Sequence, residues 1–382
     1  MINMNILLVT QMETNSPTGV TTYYLKLKDE YNKMGHHVLL ITPECCPRFI
    51  RFFLKALRKI SLLINSDYIK LFISEFNYFT AIYFAVKKIR DTSDWNIIHG
   101  QDPNSSCAAK LALKGKVPVV TTCHYNDTPV SELELTHKLI QQQKCRLIKW
   151  YKYLFSKSDY FIFLSRYQYD KSTYLLKPNV NMRFIQNGIN FNKKGNLMPA
   201  NNSFIISNVG TLEDRKNQIL LIKAGIFLKE NKLPFKIWLF GNGPQKKEWE
   251  NTVKEAGLTD HVIFWGHRKN VIEIIKKSHL YVHTSKNESS CGMCILEAYS
   301  IGLPVLALAN GAMAEYFPTS GIGLLAPDFN PSQLADEITN YLDEEKRKQL
   351  RDEQYEYSSS QLNLNKWISQ TMDYYNYILS KN

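Results

Sequence analysis

Two adjacent cations, Arg215 and Lys216, stand in the run GTLEDRKNQ, between an apolar strand pattern and a helical one. Cations at such a junction suit a diphosphate whose negative charge grows as a leaving group departs. The plainer alternative is a solvated surface pair. Further along, the stretch 281–311, YVHTSKNESSCGMCILEAYSIGLPVLALANG, reads as strand, loop rich in Ser and carboxylate, helix, small-residue turn, strand and a Gly-containing loop. In open α/β sheets ligands bind outside the carboxyl ends of strands, where loop amides and a helix N-terminus favour an anion and nearby carboxylates hold hydroxyls. An anion carrying a sugar fits both demands, with the helix N-terminus near Gly292, Met293 and Cys294 facing it.

Other junctions repeat the theme. Gly19, in Pro17-Thr18-Gly19-Val20, sits where loop meets helix and lets the backbone approach a phosphate. Gly210 precedes the cation pair, Gly241-Asn242-Gly243-Pro244 follows a strand ending at Phe240, and Gly266-His267 follows Trp265. His124 closes a strand in VVTTCHYND. Most lone histidines are structural, yet that position leads to a cleft. Asp102-Pro103 reads as a turn.

The elements that must position these residues alternate between short apolar strands and helical patterns. Strands are expected at 5–10, 38–42, 96–99, 117–122 and 160–164, then, after a polar linker over 190–202, at 204–209, 235–240, 262–265, 280–283 and 304–308. This is a chain of two doubly wound α/β halves. An aromatic helix follows over 365–379, with Trp367, Met372, Tyr375 and Leu379 near one face, and is expected to pack across both halves.

At 382 residues each half is large enough to bury its own core. Seven Cys in no regular framework point to a reducing cytoplasm, and the lone pair Cys291 and Cys294 lacks a second ligand pair for zinc, so both are read as helix-packing residues. No signal-peptide pattern and no membrane-length apolar run is present. The net charge of +12 argues for an anionic partner. Nucleic acid is ranked last, because no aromatic and basic platform accompanies the charge.

The segment 47–64 breaks the alternation. At helical spacing Phe49, Phe52, Phe53, Ala56, Leu57, Ile60, Leu63 and Ile64 share one face, while Arg48, Arg51, Lys55, Arg58 and Lys59 share the opposite one. Such a helix is either packed on the first domain with a solvated cationic face or laid on an anionic bilayer.

Taken together, PTG, the NGI of 187–189, GTLEDRKNQ, FGNGP, FWGH and ESSCGMCILEAYSIGLPVLA followed by NGAMAE resemble the retaining GT-B glycosyltransferases of family 4, in order over nearly the whole chain. The second-domain motifs are specific as a set, and those of the first are looser. The resemblance implies an α/β GT-B fold with two Rossmann-like domains and an interdomain cleft: 1–195 for the acceptor, 203–360 for a nucleotide-sugar donor such as a UDP- or GDP-sugar, and 361–382 as the terminal helix. It also implies a reaction without metal or other cofactor that keeps the anomeric configuration.

Carried over by position, Arg215 and Lys216 match the cation pair holding the donor diphosphate, as in members that read GTLEPRKN, and Thr211 stands where many other members have Arg. Glu297 matches the second glutamate of the paired-glutamate motif, on the nucleotide ribose. His124 matches the histidine near the transferred sugar, Gly19 the phosphate-contacting loop, and Asn310, Gly311 and Glu315 the segment after the motif. The family places seven residues between its glutamates, whereas eight lie between Glu288 and Glu297, and Ser289 occupies the expected position. Either a loop bulge lets Glu288 reach the sugar hydroxyls or Ser289 makes that contact; a bulge is the favoured reading.

The expected activity is hexosyl transfer to a membrane lipid or lipid-linked glycan, on the cytoplasmic side and peripheral to the cell membrane. The alternatives are a soluble acceptor and a non-catalytic partner subunit.

Overall fold

The computed structural model describes residues 3–16, 18–191 and 203–381. Pro17 of the PTG motif and most of the 190–202 linker lie outside them. Two compact units result, the first made of Met1–Gln186 with Ile368–Asn382 and the second of Asn187–Trp367.

In the first unit the strands are β1 (Asn5–Val9), β2 (His37–Ile41), β3 (Ile97–Gly100), β4 (Val119–Thr122), β5 (Tyr160–Phe163) and β6 (Asn181–Phe184). They form one parallel sheet in the order β2-β1-β3-β4-β5-β6. Every residue of β3, β4 and β5 is buried, as expected of strands covered by helices on both faces. The chain reverses direction of travel between β1 and β3, which makes a switch point there.

The terminal helix Leu364–Leu379 belongs to this unit from Ile368 onward. Its Tyr375 hydroxyl meets Nδ1 of His99 at the end of β3, and Nε2 of the same ring lies 2.7 Å from the Thr122 hydroxyl of β4. Burial, with a smaller contribution from His124, lowers the His99 pKa to about 3, so the ring is neutral and bridges two hydroxyls.

The second unit contains β7 (Phe204–Val209), β8 (Phe235–Phe240), β9 (Val262–Gly266), β10 (Leu280–His283), β11 (Val305–Leu308) and β12 (Leu324–Leu325). These too are parallel, in the order β12-β11-β10-β7-β8-β9. The sheet grows outward from β7 to β9 and then restarts on the other side of β7 with β10. Its switch point therefore lies between the carboxyl ends of β7 and β10.

The basic segment forms the helix Arg48–Leu62, but its packing differs from the two-faced expectation. Only Leu54 and Ser61 are buried, while Phe49, Phe52, Phe53, Ile60 and Leu63 remain exposed. The apolar arc is wider than the strip that meets the neighbouring helix Asp67–Lys88. Among the described residues no helix is long and apolar enough to cross a membrane.

Candidate active site

The loops that leave β7, β8 and β9 are laced together by backbone. Gly210 N donates to Phe240 O at 2.9 Å, Leu212 N to Asn242 O at 3.1 Å, and Gly241 N to Gly266 O at 2.9 Å. Two of the expected donor-site glycines are needed for that closeness. A Cβ on Gly241, whose φ is +128°, would lie 2.0 Å from Gly210 O, and one on Gly243 would lie 2.2 Å from Leu212 O. His267 lies just past β9 and is exposed.

Beyond Gly210 the chain makes a short turn over Asp214–Lys216 and passes Asn217 in the left-handed region, φ 53°. The loop after β10 pins this turn across the switch point. Lys286 N donates to Arg215 O at 2.8 Å, Thr284 Oγ1 to Lys216 O at 2.8 Å, and Ser285 Oγ to Arg215 O at 3.2 Å. Both cations are thus fixed at the backbone before any ligand is considered.

Their side chains converge on one carboxylate. Lys216 Nζ donates to Glu288 Oε1, and the same oxygen lies 3.5 Å from Arg215 Nη1 and 3.3 Å from His283 Nε2. Arg215 also reaches Glu213 Oε1 at 2.9 Å and the Asn287 carbonyl at 3.4 Å. Burial alone would raise the Glu288 pKa; Lys216, His283 and Arg215 outweigh it and hold the group well below the usual carboxylate range. For His283, burial acts to lower the pKa, but Cys294 and Glu288 prevail and raise it.

The second half of the 281–311 stretch completes the site wall. Gly292 caps the helix Met293–Ser300, and Cys291 just before it is buried. Asn187 Nδ2 approaches the Cys291 carbonyl at 3.5 Å and Met293 Sδ at 3.6 Å. Cys294 interacts with His283 and Tyr281: burial works to raise its thiol pKa, and His283 leads the groups that bring it below the ordinary value. On the same helix, burial raises the Glu297 carboxyl to about 7. Ser289 is buried beside Glu288. Gly311, at φ +63°, comes so close that a Cβ there would sit 2.1 Å from Glu288 O, and Ala312 N donates to that carbonyl at 2.7 Å. Asn310 Nδ2 meanwhile donates to Ser285 O at 3.1 Å. The NG loop therefore fixes the backbone that carries Glu288.

In the first unit, His124 follows β4 and its Nε2 lies 3.0 Å from Gln101 Oε1, with the Tyr23 ring edge-on at 4.5 Å. Burial lowers its pKa to about 3, which leaves a neutral imidazole. Gly19 opens the helix Gly19–Lys33 behind Thr18, whose side chain accepts from Thr21 N at 3.2 Å. Gln11 N, after β1, donates to Asp102 Oδ2, after β3, at 3.0 Å, so Asp102 ties the two loops of that switch point in addition to capping a helix.

The structure thus gathers Arg215, Lys216 and Glu288, with Gly210, Gly241, Gly243, Gly292 and Gly311 shaping the loops around them. Sequence reasoning passed over His283. Its signal is a titratable ring at the last position of a buried strand, which alone looks like any structural histidine.

The geometry agrees with what the chain resembles. The family model for glycosyl transferases group 1 matches residues 190–359, and that for glycosyltransferase family 4 matches residues 17–193. The chain belongs to the glycosyl transferases group 1 and has the GT-B fold, with two Rossmann-like domains. Among curated proteins it is 25% identical over 300 residues to N-acetyl-alpha-D-glucosaminyl L-malate synthase of Bacillus anthracis, covering 74% of each chain. Over 114 residues it is 28% identical to a lipopolysaccharide core biosynthesis glycosyltransferase of Rhizobium meliloti, covering 30% of this chain and 32% of that one. Among solved structures, sucrose-phosphate synthase from Thermosynechococcus elongatus aligns with a TM-score of 0.76 at 18% identity over the full length of both chains. The Anabaena protein HepE, in complex with UDP and glucose, aligns at 0.70 and 17%, covering 97% of this chain and 99% of that one.

Proposed function

We propose that this glycosyltransferase moves a hexosyl group from a nucleotide-sugar donor, of the UDP- or GDP-sugar kind, to a hydroxyl of a lipid or lipid-linked glycan, with retention and without a metal ion. The observation that carries the donor half is the convergence of Arg215 and Lys216 at the switch point of the second sheet. Lys216 is held against Glu288, and Arg215 against Glu288 and Glu213, with His283 beside them, so the cations are already positioned and a donor diphosphate would take over their pairing from these carboxylates. The UDP and glucose held by the Anabaena protein of the same fold support a nucleotide sugar.

The chemistry follows from charge. The bond between the anomeric carbon and the phosphate oxygen breaks as negative charge builds on the diphosphate, and Arg215, Lys216 and the amides at Gly292, Met293 and Cys294 stabilise it. The acceptor oxygen bonds to the anomeric carbon on the face the diphosphate leaves, and its proton passes to the departing phosphate oxygen. Glu288 or Ser289 orients the sugar hydroxyls, Glu297 holds the ribose, and neutral His124 serves the transferred sugar. The setting is cell-surface polysaccharide or glycolipid synthesis at the inner face of the membrane, supported by the local likeness to the Rhizobium lipopolysaccharide core enzyme.

The test is transfer in the presence of EDTA to a lipid-linked acceptor, with NMR of the product. Retention with undiminished rate is expected. Inverted configuration, or strict dependence on added divalent cation, sinks the reading.

A further inference from the structure

The helix Arg48–Leu62 carries three sectors rather than two. At about 100° per residue, Ile50, Leu54, Leu57 and Ser61 share the side that meets the first unit. Leu54 packs with Cys46 and Ala81, and its carbonyl accepts from Asn77 Nδ2 of the next helix at 3.3 Å. Rotated away from that side are Phe49, Phe53, Ile60 and Leu63, which are 84%, 57%, 56% and 87% exposed. Next come Phe52 and then the cationic sector of Arg48, Arg51, Lys55, Arg58 and Lys59, with no acidic residue anywhere on the helix.

Neighbouring elements carry further exposed apolar side chains. Ile69, Phe72 and Phe76 stand exposed on the helix Asp67–Lys88. Lys138 N donates to Asp67 Oδ2 at 3.2 Å, which anchors a segment with exposed Leu135 and Ile140 at the same helix end. The nearest acidic side chain before the basic helix, Glu44, is turned to the Thr14 hydroxyl at 2.9 Å. Exposed large apolar side chains gathered on neighbouring elements in this way call for cover.

We propose that this face docks the protein on an anionic lipid surface, with Phe49, Phe52, Phe53, Ile60 and Leu63 entering the acyl boundary and the five cations seated among the headgroup phosphates. Charge selects the occupant. A second copy meeting the face symmetrically would set the same five cations against each other, whereas anionic headgroups neutralise them while the acyl layer takes the aromatic rings. The inference deepens the lipid-acceptor reading above. Vesicle binding needs neither donor nor acceptor, so either can fail without the other.

The experiment is co-flotation of the full chain with vesicles of phosphatidylcholine alone and of phosphatidylcholine mixed with phosphatidylglycerol. Flotation with the mixed vesicles only is expected. Lys55→Ser, Arg58→Ser and Lys59→Ser combined should weaken it about a hundredfold at low salt. Phe49→Ser with Phe53→Ser should abolish it, with the thermal unfolding midpoint of each variant confirming an intact fold. No flotation, equal flotation with both vesicles, or unchanged flotation of the variants overturns the proposal. So does sedimentation showing a dimer that the Phe variants dissociate, in a protein that ignores vesicles.

Discussion

Lys216 and Glu288 meet at the switch point of the second sheet, one from the loop after β7 and the other from the loop after β10, with the ammonium donating to Oε1. Arg215 and His283 approach the same oxygen. One carboxylate thus holds three cationic or cation-capable groups in position where a diphosphate would need them. Preorganisation of this kind stabilises charge that develops during reaction without reorganisation at that moment.

Loss of Lys216 should therefore act mainly on the chemical step. Lys216→Ala is expected to lower kcat by about a hundredfold to a thousandfold, the range seen when one preorganised donor is removed. Steady-state kinetics with the preferred donor checks this, and a change confined to KM would reassign Lys216 to uniform binding.

Glu288 and Ser289 can be separated by paired substitution. Glu288→Gln keeps the shape but leaves Lys216 and His283 without their counter-charge, while Arg215 keeps Glu213, so the second unit should lose about 1–3 kcal/mol of stability as well as activity. Ser289→Ala should stay within roughly 1 kcal/mol of wild type in stability. If Ser289→Ala proves the more damaging in kcat/KM, the sugar contact belongs to the serine.

The pH dependence rests on Glu297, whose carboxyl is raised to about 7 by burial. Only the ionised form accepts hydrogen bonds from two hydroxyls with both oxygens, so donor affinity should rise as pH passes upward through that value. His124, held near 3, stays neutral across the same range and contributes no step. A Glu297→Gln variant should show a flat profile of kcat/KM there. Stability runs the other way: a carboxyl raised in the folded state favours folding below its unfolded pKa and loses that contribution as pH rises through the folded one. Glu75, also raised to about 7 chiefly by burial, adds to the same fall in the first unit. Thermal unfolding midpoints of Glu75→Gln and Glu297→Gln between acid and neutral pH should therefore decline less than wild type.

Gly311 tests whether the NG loop sets Glu288. Gly311→Ala combines a positive φ with a Cβ 2.1 Å from Glu288 O, so a backbone shift is unavoidable. A destabilisation above about 1 kcal/mol is expected, with kcat/KM falling further than the stability loss explains. Denaturant unfolding and kinetics on one preparation make the comparison.

The strands were legible because fully buried parallel strands are short apolar runs, and 204–209, 235–240 and 280–283 matched residue for residue. β12, only Leu324–Leu325, carries too little pattern to read. The basic helix was legible as a helix, but which of its two packings it adopts was not, and Leu54, which turned inward while the phenylalanines stayed exposed, was in neither face as read. Spacing shows which residues share a face, not how wide a strip the neighbour covers. At the site, Arg215 and Lys216 announced themselves as adjacent charges at a strand end. His283 did not, because its meaning depends on Glu288 and Cys294, which reach it only through the fold.

The most direct measurement is release of nucleoside diphosphate from a panel of UDP- and GDP-sugars by the wild-type chain and by Lys216→Ala. One donor hydrolysed slowly by the wild type, and about a hundredfold or more slowly still by the variant, is the predicted result. Release from no nucleotide sugar, or equal release by both proteins, would contradict the placement of donor chemistry at the Lys216 and Glu288 switch point.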